Sequence, residues 1–138
     1  MEGSFNNIEK RRYPRVFIDL PLEYQDLGDS CLRGAIVVNA GEGGFLIESA
    51  RDMPVGTKLS IILLFPKGFE LANFKAVTKV VRKEPYRKED WKGNPSWKGY
   101  QYGLEFIKIL EEDRWNLNYL LGDRFEYEEM LPSLSWQP

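Results

Sequence analysis

From residue 16 to residue 24 the apolar character alternates with a period of two. Val16, Ile18, Leu20, Leu22 and Tyr24 fall on one face, and Phe17, Asp19, Pro21 and Glu23 on the other. That pattern is a strand with one face in a core, not a helix, whose apolar positions recur every three or four residues. Pro21 donates no backbone hydrogen bond, so the ladder there is incomplete or at an edge. Five more segments follow, separated by turns. Residues 26–29 (DLGD) turn the chain into a strand over 31–38. The glycine-rich 39–44 leads to a short strand over 45–48, and 53–56 (MPVG) to a strand over 58–65. The centre of that fourth segment is wholly apolar, which predicts burial on both faces. A long fifth strand spans 69–83, a polar insertion 84–99, and a sixth strand 100–106.

The period then changes. Leu110, Leu117, Leu120 and Leu121 share a helical face, Glu111, Glu112 and Asp113 suit a first turn, and Gly122 suits a C-cap. Six short antiparallel strands and one helix predict a mainly β protein: a small six-stranded barrel with a C-terminal helix over one end. With 43% hydrophobic and 14% aromatic residues, the chain has enough apolar surface for a core.

What the sequence lacks excludes chemistry. With no histidine, Ser-His and Cys-His pairs and histidine-ligated metals fall away. The single cysteine, Cys31, cannot form an internal disulfide and reads as a small core residue. Asp19, Glu23, Glu48 and Glu105 read as outward strand positions rather than an acid–base pair, so no enzyme, no metal and no cofactor is expected. The 19 basic and 21 acidic residues leave a net charge of -2, which disfavours a general nucleic-acid binder. No apolar run is long enough to span a bilayer, and residues 1–15 lack an apolar signal segment. The expectation is a cytoplasmic protein without membrane insertion.

Two segments remain to carry function: Arg11-x-x-x-Arg15, and Asn39-x-Gly41-x-x-Gly44. If strands one and two form a simple hairpin about residue 27, Arg15 lies directly opposite Asn39, with Cα atoms roughly 5 Å apart. Arginines and a glycine turn at one end of a sheet suit a planar anion. Guanidinium groups grip phosphate oxygens and the O6/N7 edge of guanine. Glycine lets backbone N–H groups approach a phosphate, and asparagine both donates and accepts.

Residues 10–121 resemble a PilZ domain, the bacterial receptor module for cyclic di-GMP. The RxxxR motif is matched by Arg11 and Arg15 within KRRYPRVFIDLPLEY, and (D/N)xSxxG in part by Asn39 to Gly44 within VVNAGEGGFLIES. The segment YGLEFIKILEEDRWNLNYLL resembles the closing strand and helix. The resemblance implies a non-catalytic cyclic di-GMP receptor or adaptor. Arg11 and Arg15 would hold phosphates and guanine edges, Arg12 would add a clamp, Asn39 would contact a guanine, and Gly44 would permit the shape of the turn. Ligand binding would order the segment before strand one and signal to a protein partner. One departure stands out: Gly41 replaces the family's serine. The missing hydroxyl removes about 0.5–1.5 kcal/mol of hydrogen bonding. It also leaves a second reading, a nucleotide-independent interaction module.

The expected organisation is a flexible segment 1–9, the domain 10–122 and an acidic tail 123–138. The 85–99 insertion interleaves Arg87, Lys88, Lys92 and Lys98 with Tyr86, Trp91 and Trp97. Glu89 and Asp90 in the same segment speak against a nucleic-acid groove. The segment reads as the solvated tip of a long hairpin or, through Trp91 and Trp97, as a loop that contacts a protein partner.

Overall fold

In a computed structural model, residues 15–134 are described, with side chains for 15–122. The expected segment 1–9, Arg11, Arg12, and, of the expected tail 123–138, the side chains throughout and the backbone of 135–138 lie outside the described residues. Six strands run β1 Val16–Asp26, β2 Leu32–Ala40, β3 Gly44–Ser49, β4 Lys58–Lys67, β5 Glu70–Glu89 and β6 Pro95–Lys108. Helix α1, Glu111–Leu134, follows. The strands close into a barrel in the order β1-β2-β3-β6-β5-β4, every described pairing antiparallel.

The alternation of β1 is realised as read: Val16, Ile18, Leu22 and Tyr24 are buried, and Phe17, Asp19, Pro21 and Glu23 face outward. The interior is filled by aromatic and branched side chains from every strand. Phe45, Phe74 and Phe106 pack as an aromatic trio with centroids 5.0–5.5 Å apart. From the helix, Leu117, Leu120 and Leu121 enter the same core, and Asp113 accepts the Lys75 N–H at 2.9 Å. Each fully buried aliphatic side chain contributes about 1.5–3 kcal/mol. No described helix is long and apolar enough to cross a membrane.

Several expectations are corrected. Strand β4 is buried on one face only. Leu59, Ile61, Leu63 and Phe65 are in the core, while Ile62 and Leu64 are exposed, because in a closed barrel the second face has no layer against it. The 84–99 insertion is a hairpin, and the strand bounds at 83 and 100 are what change. Strands β5 and β6 continue through it, pairing from Pro85↔Tyr100 to Glu89↔Pro95, and only the tip turns. Cys31 is exposed, since it sits in the β1–β2 turn rather than in β2. Glu48 is buried rather than outward, accepting from the Gln101 amide at 3.0 Å. Gly122 does not cap the helix, whose backbone runs on to Leu134, and Leu110 precedes the helix and is exposed.

The hairpin register is also shifted. Asn39 pairs with Phe17, not with Arg15. Asp26 closes a turn by accepting from the Asp29 N–H at 2.8 Å, and the innermost pair is Gln25↔Leu32, so the hairpin is centred between residues 28 and 29 instead of at 27. A bulge between Phe17 and Leu20 then changes the register again.

Candidate functional site

The β2–β3 turn and the entry to β1 meet at one rim of the barrel. Although Arg15 is not opposite Asn39 in the ladder, its side chain spans the offset. Its Nε donates to Asn39 Oδ1 at 2.7 Å, and its Nη2 to the Gly44 carbonyl at 3.3 Å. The first bond fixes the orientation of the Asn39 amide. With Oδ1 turned to the arginine, the NH₂ group is what Asn39 offers to the neighbouring groove, so its complement there is an acceptor.

The turn is held by two backbone bonds, from Gly41 N–H to the Gly44 carbonyl (2.9 Å) and from Phe106 N–H to the Gly43 carbonyl (2.9 Å). The two motif glycines serve different purposes. A Cβ on Gly44 would lie 1.8 Å from the Leu104 carbonyl oxygen, so glycine is required by the close approach of β6. Its φ is not positive, so what the position needs is room for β6 and not a left-handed backbone. A Cβ on Gly41 would lie 2.6 Å from Arg15 Nη1, so the guanidinium occupies the space beside that glycine.

From this rim a groove of about 550 Å³ runs over the outside of β3, β6 and β5. It is lined by Arg15, Asn39, Gly43, Leu46, Arg82 and Glu105 among others. The volume is within the range of small-molecule sites. Arg82 carries no local motif in the sequence. It sits opposite Gly103 in the β5–β6 ladder, and a Cβ on Gly103 would be 3.3 Å from the Arg82 Cβ. A cation opposite a glycine in neighbouring strands signals a side chain laid across an open backbone. Register alone, with β5 and β6 paired, would have found it. Of the sequence candidates, Arg15, Asn39, Gly41 and Gly44 converge at this rim.

Behind the site, a buried tyrosine pins the loop after β3. Tyr102 Oη accepts from Met53 N–H at 2.7 Å and donates to the Arg51 carbonyl at 2.6 Å. Burial pushes its phenol above the ordinary tyrosine value. Lys83 pairs with Asp52 near the base of the extended hairpin and lies 4.8 Å from the Tyr100 ring centroid. The hydrogen bond from Lys83 holds the Asp52 carboxyl below its usual range.

Comparison with known proteins places this geometry. The profile of the family described as PilZ domain matches residues 9–122. Among solved structures, the PilZ domain of YcgR from Escherichia coli, determined with c-di-GMP, superposes with a TM-score of 0.67 at 14% identity. It covers 90% of this chain and 97% of that one. The Bacillus subtilis inhibitor of motility (MotI/DgrA) gives a TM-score of 0.64 at 19% identity, covering 86% of this chain. This chain spans 52% of that protein's length. No curated protein matches the sequence.

Proposed function

The chain belongs to the PilZ domain family, and on that premise we propose that it is a non-catalytic cyclic di-GMP receptor or adaptor acting in the cytoplasm. The observation that supports this most is the convergence of Arg15, Asn39 and Gly44 at the mouth of a groove that also carries Arg82. Arg15 and Arg82 supply cationic donors for phosphate oxygens and guanine edges, and the Asn39 NH₂ supplies a neutral donor. Arg11 and Arg12 precede β1 and complete the basic set. Their ordering around the ligand is the output step, sensed by a protein partner. The 10–122 unit is the ligand-binding domain, and the hairpin tip carrying Trp91 and Trp97 is the surface proposed for a protein contact.

Isothermal titration of cyclic di-GMP into the wild type and Arg15→Ala tests the reading. Micromolar or tighter binding, lost in the variant and weakened by salt, is the expected result. No saturation by the wild type overturns it. The second reading, a nucleotide-independent interaction module, is favoured by one observation: Gly41 carries no hydroxyl where the family pattern has serine. In that case cyclic di-GMP leaves the melting temperature unchanged.

A further inference from the structure

The polar side chains lining the rim groove are donors, with one exception. Arg15 and Arg82 offer guanidinium N–H groups. Asn39 offers its NH₂, because its Oδ1 is taken by Arg15. Among the described residues that line the groove, Glu105 is the only side chain left to accept. A carboxylate repels phosphate oxygens, so the part of a ligand that approaches it must carry N–H donors.

The ladder sets where this carboxylate stands. Asn39 pairs with Leu46, Leu46 with Gly103, and Gly103 with Arg82. That row crosses four strands, about 14 Å at the usual strand spacing. Glu105 is exposed on the outward face of β6, two residues beyond Gly103, or about 7 Å along the strand. It is opposite Gly44 of β3 and Lys79 of β5. Glycine at 44 and at 103 leaves the carboxylate flanked on two sides by bare backbone. Lys79 faces it across the ladder, yet the two form no ion pair among the described residues.

Guanine is the base this arrangement suits. Its Watson–Crick edge carries two adjacent donors, N1–H and the 2-amino group, beside the O6 acceptor. A carboxylate accepts from both donors at once, while an arginine or the Asn39 NH₂ takes O6. Adenine presents on the same edge one amino donor and the N1 lone pair, which a carboxylate repels. Resting on the cyclic di-GMP reading above, we propose that Glu105 is a specificity-determining residue. It accepts from N1–H and the 2-amino group of one guanine, and so sets the groove against other purines.

Calorimetric titration of the full-length wild type, Glu105→Ala and Glu105→Gln with cyclic di-GMP, cyclic di-AMP and cyclic di-IMP tests this. Cyclic di-IMP keeps N1–H and lacks the 2-amino group. For the wild type, cyclic di-GMP is expected to bind about tenfold or more tighter than cyclic di-IMP, with cyclic di-AMP weakest. Glu105→Ala is expected to narrow the first gap about tenfold, by losing affinity for cyclic di-GMP. The amide of Glu105→Gln can donate to adenine N1 and accept from its amino group. That variant is expected to cut the preference for cyclic di-GMP over cyclic di-AMP about tenfold or more. Both variants are expected to melt within about 2 °C of wild type, since the residue is exposed. A carboxylate that only repels phosphate gives the opposite result, all three ligands binding tighter in both variants by one factor, and that overturns the proposal. An equal loss for all three with a lowered melt makes Glu105 structural and overturns it too. Wild-type binding whose preferences both variants leave intact overturns the proposal and spares the receptor reading. A wild type that does not bind cyclic di-GMP overturns both.

Discussion

Gly44→Ala is the sharpest perturbation of the site's framework. The new Cβ would sit 1.8 Å from the Leu104 carbonyl oxygen, 2.9 Å from its carbon and 3.2 Å from the Glu105 Cα. All three are backbone atoms, so no side-chain rotation relieves the clash, and β3 and β6 must separate by more than an ångström. That strains the ladder at Gly44↔Glu105 and the adjoining bonds from Phe106 N–H to Gly43 and from Gly41 N–H to Gly44. Overpacking costs about 1–3 kcal/mol, and two weakened backbone hydrogen bonds add about 1 kcal/mol each. The sum, about 3–5 kcal/mol, lowers Tm by roughly 10–20 °C for a domain of this size. Differential scanning calorimetry of wild type, Gly44→Ala and Gly43→Ala measures it. Gly43 is the internal control, because a Cβ there meets nothing within 4 Å. A Gly44→Ala melt within about 2 °C of wild type, or an equal loss for Gly43→Ala, refutes the close-approach argument.

Arg82→Ala is expected to weaken cyclic di-GMP binding by about tenfold or more in calorimetric titration, as for a lost charged hydrogen bond, while leaving Tm within 2 °C of wild type (about 0.5 kcal/mol). Gly41→Ser is expected to displace the Arg15 guanidinium, which would otherwise lie 2.6 Å from the new Cβ, and so to change affinity for the ligand by changing both groups; unchanged titration curves would show that Arg15 does not rest there. Tyr102→Phe leaves the buried Met53 N–H without its acceptor and is expected to cost about 1–3 kcal/mol in urea unfolding. The raised Tyr102 pKa means that the unfolded chain ionises first. Its contribution is therefore full below the ordinary value of 10.0 and declines above it, an alkaline loss that the phenylalanine variant lacks.

Strand β1 was readable in the sequence because its alternation is set by burial on one side, and the barrel followed from six such segments. The fourth segment misled because Ile62 and Leu64 are apolar yet face outward. Apolar residues also occupy exposed strand positions, and an unbroken apolar run does not separate these from core. The extension of β5 and β6 into 84–99 was hidden for the opposite reason. A two-stranded ribbon outside the barrel buries neither face, so its strands show no apolar alternation. Register was the weakest inference. The hairpin closes at Gln25↔Leu32, about a residue and a half beyond the centre expected, which shifts every residue opposite β2, and no local signal marks it. Arg15 and Asn39 still meet, because an arginine side chain is longer than the error. Arg82 was invisible because its significance lies in which strand runs beside it.

The glycine at position 41 and the arginine at position 15 are best understood as one feature. In the family pattern a serine at this turn would contribute a hydroxyl, and its absence reads in the sequence as a pure loss. The structure shows what takes up the space. The Arg15 guanidinium lies beside Gly41, bonded through Nε to Asn39 and through Nη2 to the Gly44 carbonyl. Glycine here removes a neutral hydrogen bond and allows an arginine to be held against the turn, half-buried, before any ligand arrives. A side chain already fixed in place loses less rotamer entropy on binding, about 0.5–1.5 kcal/mol for a long one. That is the same size as the net worth of the missing hydroxyl bond, about 0.5–1.5 kcal/mol. The two terms oppose each other, so the net cost of the substitution to ligand binding is smaller than the missing hydroxyl alone implies.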